Sequence, residues 1–551
     1  MSNVMLTTLN AAQAGAFRAA GHWRDDTIYA LARANAEKSP GKTALLTRHG
    51  VTTYRALIEA ADALAAELDA RGLAPGARDA VWLPSRVETA VALLACSRNG
   101  YVCCPSLHRD HTVGDIVELL ARMRASALIA ETGYGADAAR HDIFEAAAKI
   151  ASLKSIHRLA PASAGDAPPW AGAAREAASM KTDPDTIVYL AFTSGTTGVP
   201  KGVMHSDNTL LANARALSED WNLYKDSVIY SLGPLSHNLG LGALIMTLIR
   251  GGTFVVHDRA RGESLVDRVV ETGVRFLFGV PTHAIDLLAE MKSRGLRKLG
   301  EVRGFRVSGA SVPPSVAAGL LDHGVTPQSG YGMTEAGSHQ YTMPDDDAAR
   351  ICETSGRARG GYEVRIFAQD DPERELPAGE VGQICGRGAS LMLGYFGDQE
   401  ATENSYNKSG WFMTGDIGWM DPEGYLRVTG RKKDLIIRGG HNIYPARIEG
   451  LALRHEAIER AVALPVPDDR LGEKVCLVIT CRGGQKLDAG TVLRHLDEAG
   501  LSKFDMPEYF LALDHIPLTP GGKILKRELV AAVAEGRLRP EPVRFTTGEP
   551  T

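Results

Sequence analysis

A glycine-rich loop at residues 193–202, with the sequence T-S-G-T-T-G-V-P-K-G, constrains the fold of this 551-residue chain more than any other stretch. Its glycines let backbone amides approach a ligand closely, and its hydroxyls and lysine supply hydrogen-bond donors. The apolar run at 187–192 predicts a buried strand before the loop, and a helix is predicted to begin near Ser206 or Asp207. Strand, glycine loop and helix in this order predict a polyphosphate site. Its predicted residues are Thr193, Ser194, Gly195, Thr196, Thr197, Gly198 and Lys201.

The spacing of this loop differs from the common nucleotide signatures. A Walker loop requires G-x-x-x-x-G-K-[ST], whereas counting from Gly195 puts Pro200 at the second glycine position and Gly202 after Lys201. The loop also lacks the G-x-G-x-x-G turn of dinucleotide-binding proteins. Taken alone, the ten residues are equally compatible with an ordinary surface loop.

Composition narrows the class of protein. Because single cores rarely grow beyond about 250–300 residues, 551 residues with 44% hydrophobic content predict several packed units. A net charge of -5 gives no basic patch for nucleic acid. The sequence lacks a signal-like h-region and an apolar run of about 18 residues, so neither export nor a membrane span is predicted. Seven cysteines without a C-x-x-C pair predict neither disulfides nor a zinc site, and favour a cytoplasmic location.

Helical and strand-like patterns alternate along the chain. A helix pattern at 54–71 is followed by short apolar runs at 80–83 and 126–130, and the alternation resumes after an Ala/Pro/Gly-rich connection at 160–185. Further strands are predicted at 228–232, 253–257 and 275–280, and helices at 241–249 and 264–272. This order predicts an α/β fold with doubly wound sheets.

Three further segments contain candidate functional residues. In Q-S-G-Y-G-M-T-E at 328–335, the carboxylate of Glu335 would repel a triphosphate unless Mg²⁺ lay between them. In W-F-M-T-G-D-I-G-W at 411–419, Asp416 needs hydrogen-bond donors such as ribose hydroxyls. In P-L-T-P-G-G-K-I-L-K at 517–526, Lys523 offers a cation where charge builds during attack on a phosphate. A solvated turn glutamate, a structural aspartate and an exposed lysine are the alternatives.

With these motifs in order along nearly its whole length, the chain resembles the adenylate-forming superfamily, in its acyl-CoA synthetase branch. The resemblance implies that the loop holds the β and γ phosphates of ATP, that Tyr331 stacks on adenine and that Thr334 contacts the α-phosphate. It assigns Mg²⁺ to Glu335, the ribose to Asp416 and Arg431, and the catalytic roles to Lys523, Thr334 and Glu335. The remaining ATP-site residues that it implies are Gly309, Ala310 and Gly332.

The resemblance also divides the chain. It implies a large N-terminal domain at 1–430 and a small, mobile α+β domain at 431–551, rotating about Lys433. The charged and glycine-rich residues after Arg431 fit such a hinge, although a solvated run of charges remains the alternative. Gly439 and Gly440 are the implied CoA contacts. The implied acyl pocket comprises His237, Asn238, Phe278, Gly279, Gly332, Met333 and Gly337.

The predicted function is an AMP-forming acid–CoA ligase with ATP, Mg²⁺ and CoA. Since the implied pocket residues are small or apolar, an uncharged short- or medium-chain, alicyclic or aryl acid is favoured. Loading of a phosphopantetheinyl carrier protein is the alternative acceptor reaction, and a non-catalytic nucleotide-binding protein is the alternative of another class. The spacing of Pro517, Gly522 and Lys523 resembles a motif read by protein acetyltransferases, so an acetyltransferase and deacetylase acting on Lys523 are candidate partners, as is a second copy of the chain.

Overall fold

The helices and strands are taken from a computed structural model of the chain. It describes residues 5–163, 170, 180, 183–193, 200–260, 262–309, 312–439, 441–518 and 524–545. None of the helices in these ranges is long and apolar enough to cross a bilayer. Most of the predicted connection at 160–185 lies outside them.

The strands of the described chain form four sheets. The first contains, in spatial order, β6 Ser155–Leu159, β5 Ala125–Glu131, β3 Arg78–Trp82, β4 Val102–Cys104, β7 Ile187–Thr193 and β8 Lys201–Ser206. The second contains β15 Arg357–Ala358, β14 Gly337–Tyr341, β13 Thr326–Met333, β12 Gly304–Val307, β11 Phe276–Gly279, β9 Val228–Ser231, β10 Thr253–Val255, β1 Thr43–Thr47 and β2 Gly50–Thr53. Both are parallel in their interiors; the first has one antiparallel edge strand, β8, and the second has antiparallel strands at both edges.

The third and fourth sheets are smaller. The third contains β16 Tyr362–Phe367, β17 Gly382–Gly388, β18 Phe412–Met420 and β19 Leu426–Arg431, all antiparallel. The fourth contains β21 His441–Ile443, β20 Ile436–Arg438, β23 Gly472–Cys481, β24 Tyr509–Ala512 and β25 Glu541–Pro542, with β22 Ile458–Asp468 also paired to β23. The change of sheet between Arg431 and Ile436 falls where the sequence predicts a domain boundary, whose placement at residue 430 stays a prediction.

Helices connect and cover the strands. The first group is α1 Ala11–Ala19, α2 Ile28–Lys38, α3 Tyr54–Ala70, α4 Val87–Asn99, α5 Val113–Met123, α6 Ile143–Ala147, α7 Asp207–Asp220 and α8 Asn238–Arg250. The second is α9 Leu265–Glu271, α10 Pro281–Ser293, α11 Pro314–Asp322, α12 Ala348–Glu353, α13 Gln399–Glu403, α14 Pro445–Ala452, α15 Ala489–Glu498 and α16 Lys526–Ala534. Single turns of 3-10 helix lie at Lys432–Asp434 and Arg482–Gly484. The predicted α/β architecture is confirmed, with a large N-terminal and a small C-terminal domain.

Local chemistry explains these elements. Thr53 caps α3 by accepting from the amide of Ala56, and α3 buries Leu57, Leu64 and Leu68 on one face. Complete burial of such a leucine stabilises the fold by about 1.5–3 kcal/mol. At the other end of a helix, Gly251 adopts a left-handed φ of 72° and stops α8, which a residue with a Cβ does less readily.

Candidate functional site

The predicted phosphate loop connects two antiparallel strands. Thr193, at the end of β7, pairs with Lys201, at the start of β8. The helix does begin at Asp207 with Ser206 as its cap, as predicted. However, the order strand, loop, helix is wrong, because β8 intervenes and is held between β7 and the segment at 393–396. The loop residues Ser194, Gly195, Thr196, Thr197 and Gly198 lie outside the described residues.

Tyr395 connects the loop to the predicted metal ligand. The Lys201 ammonium lies over the Tyr395 ring, 4.7 Å from its centroid, in cation–π geometry. The Tyr395 hydroxyl donates to Glu335 Oε1 at 3.0 Å. Burial raises the pKa of the Glu335 carboxyl, against the hydrogen bond from Tyr395 and the charge of Arg431. One aromatic side chain therefore brings a cation and a carboxylate from distant segments to the same place.

The motif at 328–335 occupies the end of β13 and the turn into β14. The Thr334 carbonyl accepts a 2.7 Å hydrogen bond from Nε2 of His205 on β8. Since burial lowers the pKa of His205 to about 4, its ring is neutral at pH 7 and donates through Nε2. A Cβ on Gly332 would lie 2.3 Å from the Gly337 carbonyl oxygen, so the tight hairpin requires glycine there. His205 thus fixes the backbone beside the predicted α-phosphate residue.

Asp416 joins the second and third sheets. The Tyr331 hydroxyl donates to Asp416 Oδ2 at 2.7 Å, and Arg431 Nε lies 3.0 Å from Oδ1. Asp416 and Arg431 are also backbone partners across β18 and β19. Asp416 is only 6% exposed. Three predicted nucleotide residues from separate segments therefore form one bonded cluster.

A bulge directs Asp416 towards this cluster. Gly415 has a φ of 75°, in the left-handed region that favours glycine, beside a register shift between β17 and β18. The Thr414 hydroxyl accepts from the Asp416 amide at 3.1 Å. This turn in the strand explains why glycine precedes the aspartate.

A Mg²⁺ ion that is bound mainly by phosphate oxygens needs only one or two protein carboxylates. In the described ranges, no cluster of three or more His, Cys, Asp or Glu side chains forms an all-protein metal cage. Glu335, bonded to Tyr395 near Lys201, fits the simpler arrangement, because Mg²⁺ binds one or two carboxylates together with substrate phosphates.

A narrow cleft lies beside the hairpin, between α7, α8 and β11. Three of the predicted acyl-pocket residues line it: Asn238, Phe278 and Gly337. Gly279, Gly332 and Met333 lie on the strands next to these. The His237 ring stacks on the His108 ring at a centroid distance of 4.1 Å. The cleft is therefore bounded by the elements to which the sequence assigns the acyl pocket.

A protein-family model described as AMP-binding enzyme matches residues 32–396. The chain belongs to this family. It is 30% identical over 534 residues to the medium-chain fatty-acid–CoA ligase of Escherichia coli strain K12, covering 95% of this chain and 94% of that protein. It is 33% identical to a feruloyl-CoA synthase from an Amycolatopsis species, covering 90% and 96%. The ATP-bound structure of MatB from Rhodopseudomonas palustris superposes with a TM-score of 0.81 at 28% identity, covering 92% and 98%.

In this AMP-binding enzyme, Lys433 lies in the 3-10 turn between the third and fourth sheets. Burial, followed by the nearby charge of Arg431, lowers the pKa of the Lys433 ammonium. Lys432 Nζ donates to the Gln369 carbonyl at 3.0 Å, and Gln369 also donates to the Tyr444 hydroxyl at 3.4 Å. Among the described residues, these two hydrogen bonds connect the segment after β16 to the 3-10 turn and to the start of α14.

Several residues with predicted roles lie next to the ends of the described ranges or outside them. Gly309 follows β12 with a φ of 88°, and Ala310 lies outside the described residues. Gly439, with a φ of 59°, donates its amide to the Leu471 carbonyl, whereas Gly440 is not described. Lys523 is also outside the described residues. Its flanking residues Leu518 and Ile524 form an antiparallel bridge.

Sequence reasoning missed two residues of the site, His205 and Tyr395. His205 is part of a short strand, K-G-V-M-H-S, that follows directly on the loop. Tyr395 follows Gly394 in an apolar stretch at 391–396. A glycine before paired aromatic residues is a signal for close backbone approach, and it was the available sign of Tyr395.

Proposed function

We propose that the chain is an AMP-forming acid–CoA ligase. A carboxylic acid attacks the α-phosphate of ATP and releases pyrophosphate, and the CoA thiol then displaces AMP from the acyl-adenylate. The observation that carries this proposal is the bonded cluster of Tyr331, Asp416 and Arg431 beside Glu335. It occurs in a chain that is similar along nearly its whole length to named CoA ligases.

The site residues have separate roles in this proposal. Residues of the loop at 193–202 bind the β and γ phosphates, with Lys201 as the cation. Tyr331 packs on adenine, Asp416 and Arg431 hold the ribose hydroxyls, and Thr334 contacts the α-phosphate. Glu335 would hold Mg²⁺, which supplies charge neutralisation of the phosphates when bound. Gly309, Ala310 and Gly332 line the nucleotide.

The chemistry requires positioning and charge stabilisation. In the first step a carboxylate oxygen forms a bond to the α-phosphorus, and the bond to pyrophosphate breaks. Because anions meet in this step, the ammonium of Lys523 offsets the charge that builds on the phosphoryl oxygens. In the second step the thiolate sulfur bonds to the acyl carbon and AMP leaves. Gly439 and Gly440 let the pantetheine arm approach the backbone.

A half-reaction screen tests the function. Pyrophosphate release is measured with ATP, Mg²⁺ and a panel of linear, alicyclic, aromatic and dicarboxylic acids, and AMP release is then measured with CoA or with a holo-carrier protein. We expect acid-dependent pyrophosphate release and CoA-dependent AMP release. ATP binding without turnover of any acid would instead favour a non-catalytic nucleotide-binding protein. If AMP were released with the carrier protein but not with CoA, the carrier protein would be the acceptor.

We propose Lys433 as the pivot about which residues 431–551 rotate between the two steps. Lys433→Pro fixes φ and is expected to slow thioester formation from supplied acyl-adenylate by about 10–100-fold, with pyrophosphate release within about threefold of wild type. Single-turnover assays of each step measure the two rates. Lys433→Ala, which removes the charge but keeps backbone freedom, is the control. An unimpaired second step in Lys433→Pro would rule out the pivot.

Acetylation of Lys523 is the proposed means of regulation. It removes the charge that the first step uses, so a treated sample should lose adenylation in proportion to the modified fraction and regain it after deacetylase treatment. Mass spectrometry of the labelled site and pyrophosphate release measure the two quantities. Labelling of a different lysine with adenylation intact would contradict the idea. A cytoplasmic location is proposed because all seven cysteines carry free thiols.

A further inference from the structure

Arg306 is a fully buried cation in the middle of the second sheet. It lies on β12, with Phe278 of β11 and Gln328 of β13 as its direct neighbours in register. Residues in register on adjacent strands point to the same face of a sheet. Phe278 packs in the core cluster that includes α8, whereas Phe305 and Val307, on either side of Arg306, pack on the opposite face. Arg306 therefore points to the α8 side.

The guanidinium has one polar partner among the described residues. Nη1 donates to Gln328 Oε1 at 3.1 Å, while Nε and Nη2 are buried without a hydrogen bond. Within the described ranges Arg306 forms no ion pair, and its Cζ lies 5.2 Å from the centroid of the Tyr341 ring. Burial lowers the pKa of Arg306 to about 10, so it is still charged at pH 7. A buried charge without an opposite charge is costly.

Arg306 lies next to residues that line the cleft. Phe278, its neighbour on β11, is part of the cleft wall, and so are Gly337 and Ser338 on β14. His339 follows Ser338, and burial, followed by the charge of Arg306, lowers the pKa of its imidazole to about 3. The guanidinium also packs on Gly330, where a Cβ would lie 2.4 Å from Nη1. Arg306 thus lies on a strand between β11 and β14, the two strands that contribute residues to the cleft wall.

Other polar atoms around Arg306 also lack partners. Among the described residues, Gln328 Nε2 and both ring nitrogens of His339 are buried without hydrogen bonds. The unpaired N–H groups of Arg306 and Gln328 match an oxyanion, because arginine binds a carboxylate through two parallel hydrogen bonds.

We propose that Arg306 and Gln328 bind the far end of the acyl substrate and that this end carries a second carboxylate. The inference rests on the proposed function, since it concerns the acid that the ligase activates. It differs from the uncharged acid expected from the sequence. The sequence-based expectation rested on residues in the motifs. Arg306 lies outside them, in the strand G-F-R-V, where the neighbouring residues are apolar.

Matched pairs of acids test this assignment. Butyrate is compared with succinate, hexanoate with adipate, octanoate with suberate, and benzoate with terephthalate, by kcat/KM for AMP release with CoA. For the full-length chain we expect the best dicarboxylic acid to exceed its monocarboxylic partner by about 50-fold, through charge-assisted hydrogen bonds. Arg306→Met should abolish this ratio or invert it, mainly through KM. Arg306→Lys should keep part of it, since lysine provides the charge without the planar fork.

Two controls separate recognition from folding. Arg78→Met removes another buried arginine, which lies on β3 of the first sheet and donates to the Met123 carbonyl at the end of α5, and it should leave the acid ratio unchanged. Thermal stabilisation of the protein by each acid with AMP present reports binding without turnover, and the dicarboxylic acid should raise Tm in wild type and lose that effect in Arg306→Met. A ratio or a Tm response that is the same in wild type and Arg306→Met overturns the inference. Failure of all acids to release AMP would count against the proposed function, while the Tm comparison would still judge Arg306.

Discussion

Replacing Lys523 with alanine is expected to slow acyl-adenylate formation by about 10³-fold, as loss of a preorganised charge at a phosphoryl transition state does. Conversion of supplied acyl-adenylate to acyl-CoA should stay within about threefold of wild type, because the bonds that form and break in that step are at the acyl carbon and not at phosphorus. Pyrophosphate release measures the first step, and AMP release from the acyl-adenylate with CoA measures the second.

Lys526→Ala is the matched control for Lys523→Ala. Lys526 lies three positions further along the same segment and forms an ion pair with Glu449 at 2.6 Å. Its removal costs about 0–1 kcal/mol of stability, as is typical of an ion pair that solvent still reaches, and should leave both steps intact. Equal loss of both half-reactions in Lys523→Ala would refute the assignment of this lysine to the first step.

Substituting Asp416 with asparagine is expected to raise the KM for ATP and lower kcat/KM for ATP by about 10²–10³-fold. Asparagine keeps the size of the side chain but removes the charge that Arg431 and the Tyr331 hydroxyl share, and each hydrogen bond to a charged group contributes about 1.5–3 kcal/mol. The measurement is an ATP titration of pyrophosphate release at a fixed, saturating acid concentration.

Asp421→Asn provides the comparison for Asp416→Asn. Asp421 follows the same strand and pairs with Arg427 at 3.1 Å, away from the cluster. It should leave the ATP titration unchanged. Tyr331→Phe, which removes one of the two partners of Asp416, should have a smaller effect than Asp416→Asn. An ATP titration of Asp416→Asn that overlays the wild type would remove this aspartate from the nucleotide site.

The sequence predicts elements well where one local pattern decides them. The helix at 54–71 appears as Tyr54–Ala70, because a capping threonine and a regular apolar face specify it. The predicted strand at 275–280 appears as Phe276–Gly279 within the parallel sheet. By contrast, β8 depends on pairing with β7 and with the segment at 393–396, and no local pattern encodes such partners. For this reason the strand after the loop was missed.

The candidate site divides in the same way. Tyr331, Asp416 and Arg431 lie in motifs that resemble those of the family, which is how they were predicted, and the structure brings them together. Tyr395 and Arg306 make their contacts with residues that are distant in the chain. Arg306 can be recognised as a candidate site residue only once its unpaired nitrogens are known, because burial and hydrogen bonding depend on the tertiary structure.

If residues 431–551 rotate about Lys433 as proposed, the pairing of Asp416 with Arg431 would link two equilibria, nucleotide binding and this rotation. Arg431 is the last residue of β19, and Lys433 follows two positions later in the 3-10 turn. If ribose hydroxyls share Asp416 with Arg431, then nucleotide occupancy and the orientation of the fourth sheet are thermodynamically reciprocal. An orientation that binds ATP more tightly must in turn be favoured by ATP, and the same rule applies to AMP. The nucleotide left at the end of one step would thus bias the rotation that begins the next.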